Sequence, residues 1–470
     1  MQPDKPNTQV MEQIVAELAC LQSKVIVLDD DPTGTQCANG VYAYFSWDEP
    51  TVEQMFKDGN RVSFIMTNSR ALSQRETRKL HRELMEAVCA VSKRLGREFF
   101  IVSRSDSTLR WNYPVETDEI ASVMREHGMA PDAELICPCF FEGGRVTEHG
   151  IHFLTSNDKL VPVSQTEFAR DRTFHFEHSD LTEYIVEKYE NAGIAYDRAR
   201  IRRVDIDLLA SGDQEVIDRL FTEASGYDKL VIDSTGYRTL ARTVLACLRA
   251  MRQGKRFIYR GAASFLRLLM DEPFIPLLDA AELSRGSGTG GLIVAGSHVA
   301  NTTRQLERLG QAGLVQTIEL DQRLALDERA FEDEVRRVST EVSTLLEHGK
   351  SVCLQTRRER VDVPGGTEAQ QLELANRIAD GLVGVVDGLT VSPRYLIGKG
   401  GITSHSIGAL ASGGKPVTVL GQVLPGIPVW RTSSDARLPD MPYIVFPGNV
   451  GSPDDLYTIV KELETQDENR

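Results

Sequence analysis

The sequence predicts an α/β protein of two domains, each with a mostly parallel sheet flanked by helices. At 470 residues the chain is too long for one ordinary hydrophobic core. Short β-branched apolar runs alternate with segments whose apolar residues follow helical spacing, which is typical of parallel strands joined by helical crossovers. A stretch of Gly, Ser and Thr at 284–291 interrupts this pattern. We therefore predict an N-terminal domain at 1–283, a linker at 284–291 and a C-terminal domain at 292–470.

The composition excludes several classes of partner. Hydrophobic residues make up 41% of the chain and charged residues 26%, as in ordinary globular proteins. The formal net charge of −15 argues against nucleic acid or an anionic membrane as the main partner. The seven cysteines form no C-x-x-C pair, and no apolar run approaches the length of a membrane span. We expect a cytoplasmic protein.

The predicted elements of the N-terminal domain begin with an amphipathic stretch at 11–18. Strands are predicted at 25–28, 61–66, 99–102, 135–137 and 229–233, with a long helix at 73–95. In the C-terminal domain, strands are predicted at 292–295, 351–355, 394–397, 416–420 and 443–446, with helices at 301–312, 327–347, 367–382 and 404–412.

Three consecutive carboxylates, Asp29, Asp30 and Asp31, follow the first predicted strand. Ligand sites of open α/β sheets lie at the carboxyl ends of strands. Three adjacent like charges cost free energy unless a cation or hydrogen-bond donors meet them. A metal ion, a cluster of arginines or a polyhydroxylated substrate would each do so. An Asx-Pro turn would explain one of these residues but not all three.

Two other strand ends carry polar clusters. One contains Asn68, Ser69 and Arg70, and the other contains Arg104, Ser105, Asp106 and Ser107. Parallel neighbours would bring all three clusters to one edge of the sheet, where arginine suits a carboxylate and aspartate accepts from hydroxyls. Helix caps and surface ion pairs would explain any one of these clusters as well as a site does, but a site explains all three together better. We predict a site for a hydroxylated carboxylic acid.

Glycine-rich strand ends mark the second half of the chain. The segment at 395–408 contains a strand, a glycine loop and the start of a helix that Thr403 or Ser404 is predicted to cap. Glycines let the backbone approach a phosphate, and a helix N-terminus favours its charge. The spacing is not that of a Walker A loop. Two more strand ends carry Ser297 and Gly448 next to other small residues, so the three ends together indicate a nucleotide site.

Metal ligands cannot be assigned from the sequence. His149 and His152 are three residues apart, but no third ligand is evident, so a zinc site is not predicted there.

Taken together, these motifs resemble those of the four-carbon acid sugar kinase family. The matching segments are the DDxTG element at 30–34, Ser69-Arg70, 104–110, the R-x-A-A-S-F segment within 259–265, 296–298, 399–404, 421–426 and 447–449. They occur in order through both halves of the chain.

The resemblance implies two α/β domains, the first binding the acid sugar and the second ATP, with the active site in the cleft between them. Family members phosphorylate the terminal hydroxyl of four-carbon acids such as threonate, erythronate or 3-oxo-tetronate. The implied substrate-binding residues are Asp30, Asp31, Arg70, Arg104, Ser105, Asp106 and Ser107. The implied ATP-binding residues are Ser297, Gly401, Ile402, Thr403, Ser404 and Gly448.

Two departures from the family pattern concern Ile402 and Gly261. Many relatives have an acidic residue at the position of Ile402, where it could contact Mg²⁺ or ribose, and often Thr at the position of Gly261. The chain resembles the GGITS branch of the family, so the resemblance names a kinase without naming its acid.

The first hypothesis is therefore an ATP- and Mg²⁺-dependent kinase of a small hydroxy acid, for which the resemblance implies four carbons. The alternatives are a sugar-acid dehydratase or aldolase that holds a metal on the Asp cluster, and a non-catalytic two-lobed sensor of the same ligand. As catalytic base we rank Asp31 slightly ahead of Asp30, with Asp106 next. The expected partners are the acid sugar and ATP, and the sequence leaves a homodimer open.

Overall fold

The computed structural model describes residues 4–156, 159–270, 275–286, 288–359, 361–448 and 450–465. The chain divides into two compact units, Met1–Phe274 and Ile275–Arg470. Within the predicted linker, Ser287 lies outside the described residues. The backbone N–H groups of Arg285 and Gly290 donate to carbonyls of the second unit, at 3.0 and 2.9 Å. The boundaries proposed from the sequence stay a prediction.

The first unit contains a sheet of parallel strands. Its strands are β1 (Lys24–Asp29), β2 (Val41–Tyr44), β3 (Val62–Met66), β4 (Phe99–Arg104), β5 (Ala133–Cys137), β6 (Arg145–Glu148), β7 (Ile151–Ser156), β8 (Lys159–Pro162), β9 (Ile201–Val204), β10 (Asp228–Ile232) and β11 (Phe257–Gly261). Its helices are α1 (Thr8–Cys20), α2 (Glu49–Lys57), α3 (Gln74–Leu95), α4 (Val115–Glu126), α5 (Leu181–Asn191), α6 (Ile206–Ser211), α7 (Gln214–Thr222), α8 (Tyr237–Arg252) and α9 (Ala263–Arg267). The order of the main sheet is β2-β3-β1-β4-β11-β5-β10-β9, and β6, β7 and β8 form a small antiparallel sheet.

The register of the main sheet aligns the strand ends that carry the polar clusters. Asp29 lies opposite Met66 of β3 on one side and Arg104 of β4 on the other. All six residues of β1 are buried, as a continuous apolar run in a parallel sheet requires. The chain runs from β1 to β2 and β3 on one side before crossing to β4 on the other. The carboxyl ends of β1 and β4 therefore form a topological switch point, where such sheets bind ligands.

The second unit has a mixed sheet. Its strands are β12 (Leu292–Ala295), β13 (Gln316–Leu320), β14 (Val352–Thr356), β15 (Leu396–Lys399), β16 (Val417–Leu424), β17 (Ile427–Arg431) and β18 (Pro442–Phe446). Its helices are α10 (Ala300–Ala312), α11 (Glu328–Glu347), α12 (Glu368–Asp387), α13 (Gly401–Ser412) and α14 (Asp455–Thr465). The order is β13-β14-β12-β15-β18-β17-β16, with β17 antiparallel to both of its neighbours and the other pairs parallel.

The prediction of a two-domain α/β protein with mostly parallel strands is confirmed. Each unit has its own core, in which the apolar faces of the helices pack on the sheet. Helix α3 shows why the local sequence folds as it does, since Ser73 and Glu76 form a capping box at its start. Among the described residues, no helix is both long and apolar enough to cross a membrane.

Candidate active site

Each of the three adjacent carboxylates in the first unit has an arginine partner. Arg104 Nη1 lies 3.1 Å from Asp29 Oδ1. Arg70 lies between the other two, with Nη2 at 2.6 Å from Asp30 Oδ1 and Nη1 at 2.9 Å from Asp31 Oδ2. The arginines come from the ends of β3 and β4, so the parallel register brings the predicted residues together. The sequence left a metal ion, arginines or a polyhydroxylated substrate as partners for these charges, and the structure shows arginines.

The turn after β1 closes tightly over Asp29. A Cβ on Gly34 would lie 1.9 Å from Asp29 Oδ2, so no residue larger than glycine fits there without a shift. Asp29 is fully buried, and its Oδ2 has no hydrogen-bond partner among the described residues. Burial raises the pKa of Asp29 to about 7, although Arg104 opposes the shift. Asp29 therefore holds a proton more readily than an ordinary aspartate.

The pKa values of Asp30 and Asp31 are shifted in opposite directions. Burial raises the pKa of Asp30 above the ordinary value, even though Arg70 opposes it, and the nearby Glu116 carboxylate raises it further. Burial also acts on Asp31, but Arg70 and two hydrogen bonds from Thr33 outweigh it, so its pKa is lowered. These bonds come from the backbone N–H at 2.9 Å and the hydroxyl at 2.6 Å, and they make Asp31 the cap of a 3-10 turn. Asp30 is the stronger base of the two.

The loop after β4 adds the remaining predicted substrate residues. The hydroxyl of Ser105 donates to Asp30 Oδ2. Asp106 accepts from Arg110 Nε at 2.6 Å. Burial raises the pKa of Asp106, but the Arg110 and Arg70 guanidinium groups outweigh it and hold the pKa well below its usual range. The carbonyl of Ser107 is 2.8 Å from His152 Nε2, which anchors the loop on β7.

Sequence reasoning missed a buried network behind this loop. Ser69 donates to Glu116 Oε1 at 2.6 Å, and Arg260 Nη1 donates to the other oxygen of that carboxylate. Arg260 also donates to Ser103 Oγ at 2.7 Å and lies over the Trp111 ring at 4.6 Å. The sequence contains one indication of this network, because Glu116 shares helical spacing with the buried residues Ile120, Val123 and Met124 of α4.

One group of potential metal ligands occurs in the described part of the chain, namely His149, Asp205 and Asp233. Both oxygens of Asp233 already accept backbone hydrogen bonds, from Gly150 at 2.8 Å and Ile206 at 3.0 Å. His152 belongs to a different environment, since it is fully buried and burial lowers its pKa to about 4. Asp233 thus holds two backbone turns in place, and His149, which is exposed, lies in a different environment from the buried His152.

In the second unit, glycines let three neighbouring strand ends pack closely. The N–H of Gly400 donates to the Phe446 carbonyl at 2.9 Å and its φ of +110° favours glycine. A Cβ on Gly400 would lie 3.0 Å from Ser297 Cβ, and one on Gly448 would lie 3.1 Å from Ser297 Oγ. The ends of β12, β15 and β18 thus meet around Ser297 with little side-chain volume. Asn449, also part of the family motif, lies outside the described residues.

The prediction that Thr403 or Ser404 caps the following helix is wrong. Helix α13 begins at Gly401, and its N-cap Gly400 has no side chain to bond the first turn. The Ser404 hydroxyl instead donates to the Gly398 carbonyl at 2.8 Å, and its side chain is buried. No described side chain caps the first turn of α13, at Gly401, Ile402 and Thr403, and the helix dipole at such an N-terminus favours an anion. Ile402 points outward, with 54% of its surface exposed.

Two cations that sequence reasoning did not assign lie at these strand ends. Lys399 is fully buried, donates to the Pro447 carbonyl and lies 4.1 Å from the centre of the Phe446 ring. Burial lowers its pKa to about 7. Arg358, after β14, donates from Nη2 to the Ser297 carbonyl at 2.8 Å and to Thr303 Oγ1 at 2.7 Å. Both would place positive charge near an anion bound at the glycine loops.

Comparisons with known proteins find one matching family model in each of the two units. Residues 25–269 match the family described as sugar-binding N-terminal domain, and residues 292–456 match the nucleotide-binding C-terminal domain. The D-erythronate kinase of Heliobacterium modesticaldum is 27% identical over 95% of this chain and 98% of its own. The D-threonate kinase of Salmonella typhimurium is 24% identical over 91% of this chain and 96% of its own.

Two solved structures share the fold. A Salmonella typhimurium protein whose structure carries the name of a putative tRNA synthase superposes with a TM-score of 0.67 at 16% identity, covering 94% of this chain and 99% of its own. A Haemophilus influenzae protein superposes with a TM-score of 0.58 at 17% identity, covering 93% of this chain and 100% of its own. Identities this low establish the fold alone.

Proposed function

The chain belongs to the four-carbon acid sugar kinase family, and we propose that it transfers the terminal phosphoryl group of ATP to the terminal hydroxyl of a small, four-carbon sugar acid. The proposal rests on one observation above all: helix α13 begins next to Gly400 and Gly448 without a side-chain cap. This helix lies in the unit that matches a nucleotide-binding domain. The other unit offers paired aspartates and arginines at a switch point, which suit a polyhydroxylated anion.

In this proposal the acid sugar binds at the carboxyl ends of β1, β3 and β4. Asp30 and Asp31 accept from its hydroxyls, while Arg70 holds both carboxylates in place. Arg104, the last residue of β4, and Ser105, Asp106 and Ser107, in the loop after it, complete the site. Because Asp30 and Asp31 are fixed before the ligand arrives, little side-chain entropy is lost on binding.

ATP binds at the ends of β12, β15 and β18. The backbone N–H groups of Gly401, Ile402 and Thr403 receive a phosphate, and Ser297 and Gly448 line the approach. Ser404 contributes by holding the loop through Gly398, since its hydroxyl is already used. The exposed Ile402 side chain supplies no ligand for a metal.

Mg²⁺ enters as part of the nucleotide substrate. The described strand ends of the second unit carry no carboxylate at 296–298, 400–404 or 447–448. The ion would then be held by the phosphates of ATP and by water, which is its usual coordination. The aspartates of the first unit are occupied by arginine, so they fit a resident metal less well.

The attacking hydroxyl must lose a proton, and Asp30 suits this role better than Asp31. A general base works best when its pKa lies near the working pH. Burial moves the pKa of Asp30 in that direction, whereas the net shift of Asp31 and of Asp106 is downward. The electrostatics therefore reverse the order that the sequence indicated.

The proposal is tested by measuring ADP release from Mg-ATP with a panel of four-carbon acids, including D-erythronate, D-threonate and their enantiomers. Phosphorus NMR of the product identifies the hydroxyl that is phosphorylated. Acid-dependent ADP release and a terminal phosphate ester are expected. If no acid in the panel raises ADP release above the rate with ATP alone, the proposed function is wrong.

A further inference from the structure

Arg145, the first residue of β6, is a partly buried cation without an anionic partner. In the described part of the chain, no carboxylate oxygen lies within ion-pair distance of its guanidinium group. Its Nη1 donates to the Gly143 carbonyl, its face lies 6.0 Å from the centre of the Phe140 ring, and its Nε is buried without a hydrogen-bond partner. A buried charge in this state costs free energy that an anionic ligand would recover.

The other arginines at this edge of the sheet all have counter-charges. Ion pairs of 3.5 Å or less join Arg70 to Asp30 and Asp31, Arg104 to Asp29, Arg110 to Asp106, Arg260 to Glu116 and Arg267 to Glu142. In particular, Arg70 already donates from all three of its nitrogens to aspartates. A substrate carboxylate would have to compete with these aspartates for Arg70, whereas Arg145 offers an unused charge.

Arg145 lies at the same edge as the predicted substrate residues. It follows the loop at the carboxyl end of β5, and its neighbours include the loop after β4. Burial lowers the pKa of Arg145, the Asp106 carboxylate opposes this shift, and Arg110 adds to it. Since Asp106 is held by Arg110, it acts on Arg145 from a distance rather than as an ion-pair partner.

The turn that carries Arg145 is rigid. Phe140 and Arg145 exchange two backbone hydrogen bonds, of 3.0 and 2.9 Å, and the N–H of Phe141 donates to Ser264 Oγ at 3.0 Å. A Cβ on Gly143 would lie 2.2 Å from Arg145 Nη1, so glycine is required for the guanidinium to lie there. The guanidinium is thus held in position without an ion pair, as a preformed anion site requires.

We propose that Arg145 binds the carboxylate of the sugar acid and thereby makes the enzyme select acids over uncharged sugars of the same length. The inference rests on the proposed function and goes further by naming the residue that recognises the carboxylate. Arg70 then positions Asp30 and Asp31 instead of binding the acid group itself. The planar guanidinium suits a carboxylate, to which it can donate two parallel hydrogen bonds.

The test compares Arg145→Gln with the wild type on the best acid of the panel and on the primary amide of that acid, which has the same shape without the charge. The KM for the acid should rise roughly 10- to 100-fold, as expected for loss of a charged hydrogen bond, while the KM values for the amide and for ATP stay within about twofold. Arg145→Lys should recover part of the loss. The exposed Arg94→Gln, on α3, is the matched control and should behave as the wild type.

A second readout separates ligand binding from a structural role. Because Arg145 is a partly buried charge without an ion pair, Arg145→Gln should unfold at a Tm no lower than that of the wild type without ligand. Equal losses on the acid and its amide, an unchanged KM for the acid, or a Tm several degrees lower would each overturn the inference. If the wild type phosphorylates no acid at all, the proposed function fails first, and the two failures are distinguishable.

Discussion

Arg70 donates two hydrogen bonds to the carboxylate of Asp30, from Nη2 to Oδ1 at 2.6 Å and from Nε to Oδ2 at 3.2 Å. This bidentate pair fixes the plane of the carboxylate, and the remaining guanidinium nitrogen reaches Asp31 at 2.9 Å. One side chain from the end of β3 therefore sets the orientation of two side chains at the end of β1.

Arg70→Ala should destabilise the protein and impair acid binding together. Removing the guanidinium leaves the buried Asp30 and the partly buried Asp31 without their counter-charge, which costs about 3 kcal/mol in the free energy of unfolding. The KM for the acid should rise far more than the KM for ATP, and the KM for the uncharged amide should rise as well. The exposed Arg94→Ala, on α3, removes ion pairs to the exposed Glu49 and the partly exposed Glu53 and should cost less than about 1 kcal/mol. If the KM for ATP rises and the KM for the acid does not, the assignment of the two ligands to the two units is reversed.

Asp30→Asn and Asp31→Asn should differ in their effect on catalysis. Both substitutions preserve shape, but only the first removes the carboxylate whose pKa burial has raised. We expect Asp30→Asn to lose at least 100-fold in kcat, in the range typical of a general base, with a smaller change in acid affinity. Single-turnover measurements at saturating acid check this. A larger loss in Asp31→Asn would restore the order that the sequence indicated, and full activity in both would pass the role to Asp106.

Asp29 should make stability fall as the pH rises from about 4 to about 7. Its folded-state pKa of about 7 lies above the ordinary value near 3.8, so the folded protein binds the proton more tightly. This contribution is fully present below the unfolded pKa and is lost as the pH rises through the folded pKa. The unfolding free energy of the wild type, minus that of Asp29→Asn, should therefore fall by roughly 4 kcal/mol as the pH rises across this window. Urea denaturation at a series of pH values measures it, and a constant difference would contradict the assignment.

Gly448→Ala should weaken ATP binding with little effect on folding. The added methyl group would lie 3.1 Å from Ser297 Oγ, in the proposed phosphate site. The KM for ATP should rise about tenfold or more, and the KM for the acid should not change. Gly310→Ala is a suitable control because no atom lies within 4 Å of its Cβ position in α10, where alanine should add up to about 1 kcal/mol of stability. Unchanged ATP affinity in Gly448→Ala would remove this loop from the site.

ATP binding should take up a proton at Lys399. Its pKa of about 7 means that much of the lysine is neutral at pH 7.5, and nearby phosphates would favour the charged form. Calorimetry of ATP binding in buffers with different ionisation enthalpies measures the uptake. Lys399→Met should lose the proton uptake that occurs at this lysine. The exposed control Lys350→Met should take up as many protons as the wild type. Equal uptake in the two variants would show that Lys399 lies too far from the phosphates.

The residues at the ends of β1, β3 and β4 could be predicted because local patterns define them. A continuous apolar run identifies a parallel strand, and the first charged residues after it mark its carboxyl end. These patterns locate each strand end separately, and the parallel register of β1 and β4 then brings Asp29 beside Arg104.

The rest of the site depends on contacts that no local pattern contains. Glu116, Arg145 and Arg260 come from three different elements, and their meeting depends on sheet order. Strand β13 was missed because its sequence QTIEL lies at an edge and is mostly polar. The N-cap preference for Ser and Thr holds at Ser73 and Thr367, but at α13 the Ser404 hydroxyl bonds the Gly398 carbonyl and the helix begins at Gly401.

Strand β11 lies between β4 and β5 although it is the last strand of the first unit to be synthesised. Until it leaves the ribosome, β4 and β5 have no common neighbour and Glu116 lacks its arginine partner. A nascent chain that ends before Phe257 therefore exposes two unpaired strand edges in the middle of its sheet. Such edges promote aggregation. A fragment made to express the first unit alone should accordingly extend past α9, since a shorter fragment omits the centre of the fold rather than its periphery.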